Sequence, residues 1–123
     1  MGESETRVLM AKLYEQNMRF LVKERSGGVS EITGRPGGAI HHILGRNKPQ
    51  GFKGLPEVIR EWWPHIPFLC IVLTSGEHEA TIKYPRVLRV LLMNFMLLKY
   101  RHWVWEGKTI EEWLQEEWLR RWL

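Results

Sequence analysis

Hydrophobic positions recur at helical spacing over the first part of the chain. Apolar residues lie three or four positions apart from Leu9 to Leu21, and Ser4 is a suitable residue to cap the helix that this spacing predicts. A Ser-Gly-Gly sequence follows and ends the pattern. The sequence therefore predicts an N-terminal helix from Ser4 to about Lys23.

Short apolar runs in the middle of the chain predict β-strands. Val29–Thr33 and Ala39–Leu44 flank a glycine-rich turn and are typical of a hairpin, and Ile66–Thr74 is the strongest strand candidate. The connection 45–65 is long for so small a chain, which usually indicates a functional loop. Within it a short helix is predicted over Leu55–Trp63, where one proline begins the pattern and another ends it.

Helical patterns dominate the C-terminal half. Ser75 is predicted to cap a helix that runs to about Tyr84, and Pro85 begins an apolar helix to about Val104. A last helix is predicted over Thr109–Leu123. Its apolar stripe consists of Ile110, Trp113, Leu114, Trp118 and Trp122. The chain is long enough for one domain with a modest core, so we expect a single α+β domain over residues 1–123.

Charge is distributed unevenly along the chain, although the net charge is only +4. Residues 19–60 carry eight Lys and Arg against three Glu, and residues 83–102 carry five basic side chains and no acidic one. A basic body fits a polyanionic partner, because neutralised phosphates supply affinity through counterion release. A solvated surface of mixed sign explains the same composition equally well.

The cysteine count and the hydropathy exclude several classes of protein. The single cysteine, Cys70, rules out an intramolecular disulfide and a cysteine-rich zinc site. The polar, acidic N-terminus is unlike a secretory signal, and the apolar run Val87–Leu98 is shorter than the ~20 residues that span a bilayer. We expect a soluble intracellular protein with no membrane partner.

The candidate chemistry lies in the histidines, four of which fall between positions 41 and 78. His41 and His42 are adjacent at the end of a predicted strand, so their side chains point to opposite faces. One ring can then bind a metal while the other faces a water or a phosphate. His78 follows 36 residues after His42, near the start of a predicted helix.

The strings around these histidines resemble a known family. Glu31-Ile-Thr-Gly34 and Ala39-Ile-His-His-Ile-Leu-Gly-Arg46 look like the first half of the motif of HNH endonucleases, and Val72-Leu-Thr-Ser-Gly-Glu-His78 looks like the second half. The resemblance covers residues 29–81, under half of the chain. It implies a small ββα-metal core, flanked by an N-terminal helix and by two C-terminal helices over residues 85–123.

Carried over position by position, the resemblance implies a role for each of three histidines. His42 is the general base, His41 the metal ligand on the strand and His78 the metal ligand on the helix. An imidazole with a pKa near ~6.5 is suited to proton transfer at neutral pH. Two imidazoles completed by water and phosphate oxygens suit one divalent ion, Mg²⁺ or Mn²⁺ first, with Ni²⁺ and Zn²⁺ also compatible.

The sequence departs from the family pattern at the middle asparagine, which normally steadies the general base. Its slot falls near Cys70 or Ile71, and His65 is the nearest polar substitute. His65 is therefore a second candidate catalytic residue. Either His65 or Cys70 could fill the position of the missing asparagine. The optional structural zinc site is also absent, since Ser30 stands where the family often has a cysteine.

The resemblance implies a DNA endonuclease from a phage or mobile element that works in the cytoplasm of a bacterial host, on duplex or branched DNA. Arg46, Arg35 and Lys48 are the candidate phosphate-binding residues. The alternative is a catalytically weak or inactive nucleic-acid-binding or assembly protein with the same fold. A third hypothesis is that the chain is an all-helical interaction module built on the apolar C-terminal half.

The tryptophans of the last helix predict either core packing or self-association. Trp113, Trp118 and Trp122 lie near several glutamates, which would repel a phosphate backbone. A helix with so much aromatic surface is costly to leave in water. We therefore expect a homodimer that forms through the tryptophan-rich C-terminal helices.

Overall fold

The structure, a computed structural model, describes residues 2–46 and 62–120. Its first element is the long helix α1, Glu3–Ser26, which begins after Gly2 and ends at Gly27 in the left-handed conformation, with φ of 67°. The expected cap, Ser4, lies inside this helix, so that prediction is wrong. The helix itself is confirmed and is longer than predicted at both ends.

A two-stranded antiparallel sheet lies beside α1. Strand β1, Ala39–His42, pairs with β2, Cys70–Leu73, and places His42 opposite Cys70. All four residues of β2 are buried. The strand predicted over 66–74 begins four residues later than expected, because prolines open two 3₁₀ turns, Trp63–His65 and Pro67–Leu69, in front of it.

The predicted hairpin is wrong, because residues 29–33 form turns rather than a strand. Only Glu31 joins the outer edge of β2: its N–H donates to the carbonyl of Val72 at 3.0 Å, and its carboxylate accepts the N–H of Val72 at 2.7 Å. The side chain thus replaces a second backbone bond. The segment closes the edge of the sheet without extending it.

Two helices follow β2. Helix α2, Ser75–Lys83, is capped by Thr74 rather than by Ser75, in a capping box with Glu77. Helix α3, Pro85–Lys99, ends before the predicted limit of Val104. Over the described ranges, no helix combines the length and the apolar character that crossing a bilayer requires.

The C-terminal part contains strands that the sequence did not predict. Strand β3, Val104–Trp105, turns back through Gly107 (φ 77°) to β4, Lys108–Thr109. The single helix predicted over 109–123 is instead a short α4, Ile110–Leu114, and a short α5, Glu117–Arg120. A mixed α and β fold is confirmed, and the all-helical alternative is wrong.

The core lies between the sheet, α3 and the C-terminal elements. Ile110 and Trp113 are buried in it, so these members of the predicted stripe pack inside the chain. The side chains of Trp118 and Trp122 lie outside the described residues, as do residues 55–61 of the predicted short helix. The expected homodimer through the C-terminal helices therefore stays a prediction.

A buried ion pair joins α1 to β2 and α3. The guanidinium of Arg25 donates to both carboxylate oxygens of Glu31, at 2.6 and 2.9 Å, and also to the carbonyls of Pro67 and Cys70. The hydroxyl of Tyr100 donates to the same carboxylate, and Nζ of Lys99 donates to the Glu31 carbonyl. The side chains of Arg25 and Glu31 are almost fully buried. This network fixes the turn before β1.

Replacing Gly38 by Ala should destabilise the fold by about 1–3 kcal/mol through overpacking. A Cβ at Gly38, directly before β1, would lie 2.4 Å from Cγ1 of Val72, a stiff and buried side chain. Gly76→Ala is the matched control, because no atom lies within 4 Å of its added Cβ and the backbone there is helical. Urea unfolding should show a loss for the first variant and none for the second; equal midpoints would contradict this.

Candidate active site

The tandem histidines end β1, and the two rings face opposite sides of the sheet. His41 faces α2, where its ring lies against that of His78, whereas His42 lies against His65 on the side of α1. The alternation of side chains along an extended strand produces this division. Two imidazoles at neighbouring positions thus belong to two different clusters.

His41 and His78 form the first cluster. Their ring centroids are 5.0 Å apart, with the ring planes at 76°. His78 lies in the first turn of α2, which the capping box of Thr74 and Glu77 fixes relative to the end of β2. Two residues that are 37 positions apart in the chain are therefore brought into contact by the antiparallel pairing and the tight turn into α2.

The donor set of this cluster fits a divalent cation. A metal-bound imidazole nitrogen lies about 2.1 Å from the ion, so two rings that share one ion have centroids roughly 5 Å apart. Burial, and then the charge of His78, lower the pKa of His41 to about 4, which leaves its ring neutral at pH 7, the form that binds metals. In the described ranges no group of three or more His, Cys, Asp or Glu side chains is placed to hold a metal. An ion held by these two imidazoles would have to take its other ligands from water or substrate oxygens.

His42 and His65 form the second cluster. Their ring centroids are 5.7 Å apart, and the planes are inclined at 76°. Nε2 of His42 and Nδ1 of His65 are buried and have no hydrogen-bond partner in the described part of the chain. Burial is the main cause that lowers the pKa of both rings, to about 4 for His42, with Arg46 the next contribution there.

The slot of the missing asparagine is occupied by buried side chains. Cys70 lies directly opposite His42, but its thiol contacts the carbonyl of Pro64 at 3.3 Å and burial raises its pKa to about 12. Ile71 is opposite His41 and is fully buried. Of the candidates for this slot, His65 is the one whose polar ring lies against that of His42, and its Nδ1 has no partner in the described part of the chain.

Glu15, on α1, is a charged residue of the second cluster that the sequence reasoning missed. Its Oε2 lies 3.9 Å from Nε2 of His65, and its Oε1 lies 3.2 Å from guanidinium nitrogens of both Arg19 and Arg46. Burial alone would raise the pKa of Glu15, but the hydrogen bond from Arg19 and the charges of His65 and Arg46 outweigh it and lower the pKa. The one sequence signal was the helical i,i+4 spacing of Glu15 and Arg19.

The three predicted phosphate-binding residues lie in different places. Arg46 follows β1 by four positions, contacts Glu15 and is half exposed, so it borders the second cluster. Arg35 lies in the exposed turn before β1, and its carbonyl accepts the N–H of Ser30. Lys48 lies outside the described residues. Arg19, which was not predicted, borders the second cluster as Arg46 does.

Comparison of the chain with protein-family models, with curated proteins and with solved structures finds no match. The two clusters are therefore the features of the chain that bear on its function.

Proposed function

We propose that the chain is a metal-dependent endonuclease of the HNH type that hydrolyses phosphodiester bonds in DNA. One observation carries the proposal: the ring of His41 meets that of His78 at 5.0 Å, while the adjacent His42 faces a second cluster. The order β1, β2, α2 agrees with the ββα arrangement that the resemblance implies. A chance surface pair of histidines has no reason to meet a third ring across the sheet.

His41 and His78 would hold the divalent ion. When bound, the ion supplies a positive charge that draws in the scissile phosphate and stabilises the departing 3′ oxygen. The residues of the chain provide the rest of the site. The ring of His41 needs to lose no proton to act as a ligand, because burial keeps it neutral at pH 7.

His42 would take a proton from the attacking water. The water oxygen then forms a bond to phosphorus, and the bond from phosphorus to the 3′ oxygen breaks. The 3′ oxygen leaves as an alkoxide and takes up a proton from solvent water, and His42 later releases its own proton to solvent. The products carry 5′-phosphate and 3′-hydroxyl ends. Arg46 and Arg19 both contact Glu15 at the border of the cluster that contains His42, and each would offer a guanidinium to a neighbouring phosphate of the strand.

His42→Ala should reduce cleavage of supercoiled plasmid by about 10²–10⁴-fold, the usual contribution of a general base, and leave DNA binding unchanged. His102→Ala is the matched control, since His102 is exposed in the turn after α3. Single-turnover assays in Mg²⁺ and Mn²⁺ measure the cleavage rate, and gel shifts measure DNA binding. Linear, nicked and four-way substrates compared in the same assay would identify the preferred DNA structure.

The same experiment tests the alternative, a nucleic-acid-binding protein without activity. Buried Cys70 and Ile71 at the slot of the asparagine are the observation that favours it. Wild-type protein that binds DNA but does not cleave it in Mg²⁺, Mn²⁺, Ni²⁺ or Zn²⁺ would overturn the endonuclease proposal and support this alternative.

A further inference from the structure

The second cluster contains more groups than a lone general base requires. A carboxylate, two imidazoles and two guanidiniums meet between α1, the end of β1 and the 3₁₀ turn Trp63–His65. Glu15 lies at their centre, since it is the group that contacts His65, Arg19 and Arg46 together. Glu15 thus links the ring of His65 to both arginines.

The contact between His65 and Glu15 favours one tautomer of the His65 ring. Nε2 faces the carboxylate of Glu15 at 3.9 Å, and an anion beside one ring nitrogen favours the hydrogen on that nitrogen. Nδ1 is then left with a lone pair. This same Nδ1 is buried without a partner, as is Nε2 of His42, and the two rings are neighbours.

We propose that Glu15 is a positioning residue: its carboxylate keeps the hydrogen of His65 on Nε2 and leaves Nδ1 of His65 free to accept a hydrogen bond from Nε2 of His42. No hydrogen bond joins these two nitrogens in the structure, so the neighbouring rings must turn toward each other for it to form. This bond would satisfy both buried nitrogens with one hydrogen. It would also fix the tautomer of His42 and leave Nδ1 of that ring as its basic nitrogen. Glu15 and His65 would together do what the missing asparagine does in the family.

The two arginines fit the same arrangement. The hydrogen bond from Arg19 and the charge of Arg46 help to lower the pKa of Glu15, and Glu15 in turn holds Arg46 at the border of the second cluster. One carboxylate thus orders the ring of His65 and a guanidinium that can contact phosphate. The inference rests on the proposed function only for its effect on catalysis, because the tautomer of His65 is a property of the protein alone.

The test uses the full chain with ¹⁵N-labelled histidine, and long-range ¹H–¹⁵N spectra that distinguish the two tautomers of each ring. Wild-type protein should show His65 with its hydrogen on Nε2 and His42 with its hydrogen also on Nε2. Glu15→Gln should turn His65 into a mixture of tautomers, and Glu24→Gln, an exposed change on the same helix, should not. A wild-type His65 with its hydrogen on Nδ1, or an unchanged spectrum in Glu15→Gln, would overturn the proposal.

Kinetics provide the second measurement. Glu15→Gln should lower kcat by about 10–100-fold, as loss of an orienting partner does, with KM and Mn²⁺ affinity near their wild-type values. A purely structural role of Glu15 would lower the melting temperature but would not lower kcat selectively. A fully folded Glu15→Gln variant with the kcat of the wild type would therefore also overturn the proposal. If wild-type protein cleaves no DNA at all, the proposed function fails, while the spectra still decide the positioning role.

Discussion

Glu31→Gln should lower the free energy of unfolding by about 3–5 kcal/mol, because it leaves Arg25 charged and unpaired in the interior. Both side chains are nearly inaccessible, at 1% exposure for Arg25 and 0% for Glu31. The same carboxylate accepts the N–H of Val72 and the hydroxyl of Tyr100. A loss of this size is a large share of the 5–15 kcal/mol that stabilises an ordinary domain.

Chemical and thermal unfolding followed by circular dichroism measure this effect. Glu79→Gln is the control, since Glu79 is exposed on α2 and its replacement should change stability by less than about 0.5 kcal/mol. A change below about 1 kcal/mol for Glu31→Gln would show that the interior around Arg25 admits water or relaxes. The buried pair would then not be what fixes the turn before β1.

The elements that the sequence predicted well are those set by local patterns. α1 follows from apolar spacing and a glycine stop, and α3 follows from Pro85. α2 was predicted at the right place, although its cap is Thr74 and not the predicted Ser75. β1 was recognisable from an apolar run that ends in the histidine pair. In each case the signal lies within the element itself.

The pairing of the strands could not be predicted from local sequence patterns. Val29–Thr33 has the composition of a strand, but Glu31 turns inward to a buried arginine on α1 and to the outer edge of β2. These partners lie 6 and 41 positions away, and nothing in the local pattern identifies them. A buried ion pair therefore overrode strand propensity.

The candidate site also contains residues that local patterns identified and residues that only tertiary packing brings in. Alternation along a strand predicted that the tandem histidines face opposite ways, and the structure places His41 against His78 as the motif order implied. His65 was one of two open choices, and Glu15 was not considered, because the contact of α1 with the turn before β2 depends on tertiary packing. Local sequence thus identifies the histidines that the fold brings together better than the charged groups that surround them.

His78→Ala should weaken Mn²⁺ binding by at least about 100-fold, because loss of a mere hydrogen-bonding partner of a metal ligand already costs 10–100-fold. His41→Ala should have the same effect, since the two rings lie 5.0 Å apart and would share one ion. Binding to the apoprotein is measured by calorimetry and by the Mn²⁺ resonance signal. His78 is exposed, so its replacement should leave the melting temperature without metal unchanged.

The double variant makes the test specific for one shared ion. If both rings bind the same ion, the affinity lost in the double variant should be much less than the sum of the two single losses on a free-energy scale. Rings that bound separate ions would give additive losses and two binding events in the wild type. Unchanged affinity in both single variants would remove the metal site, whereas His102→Ala should behave as wild type because it lies outside both clusters.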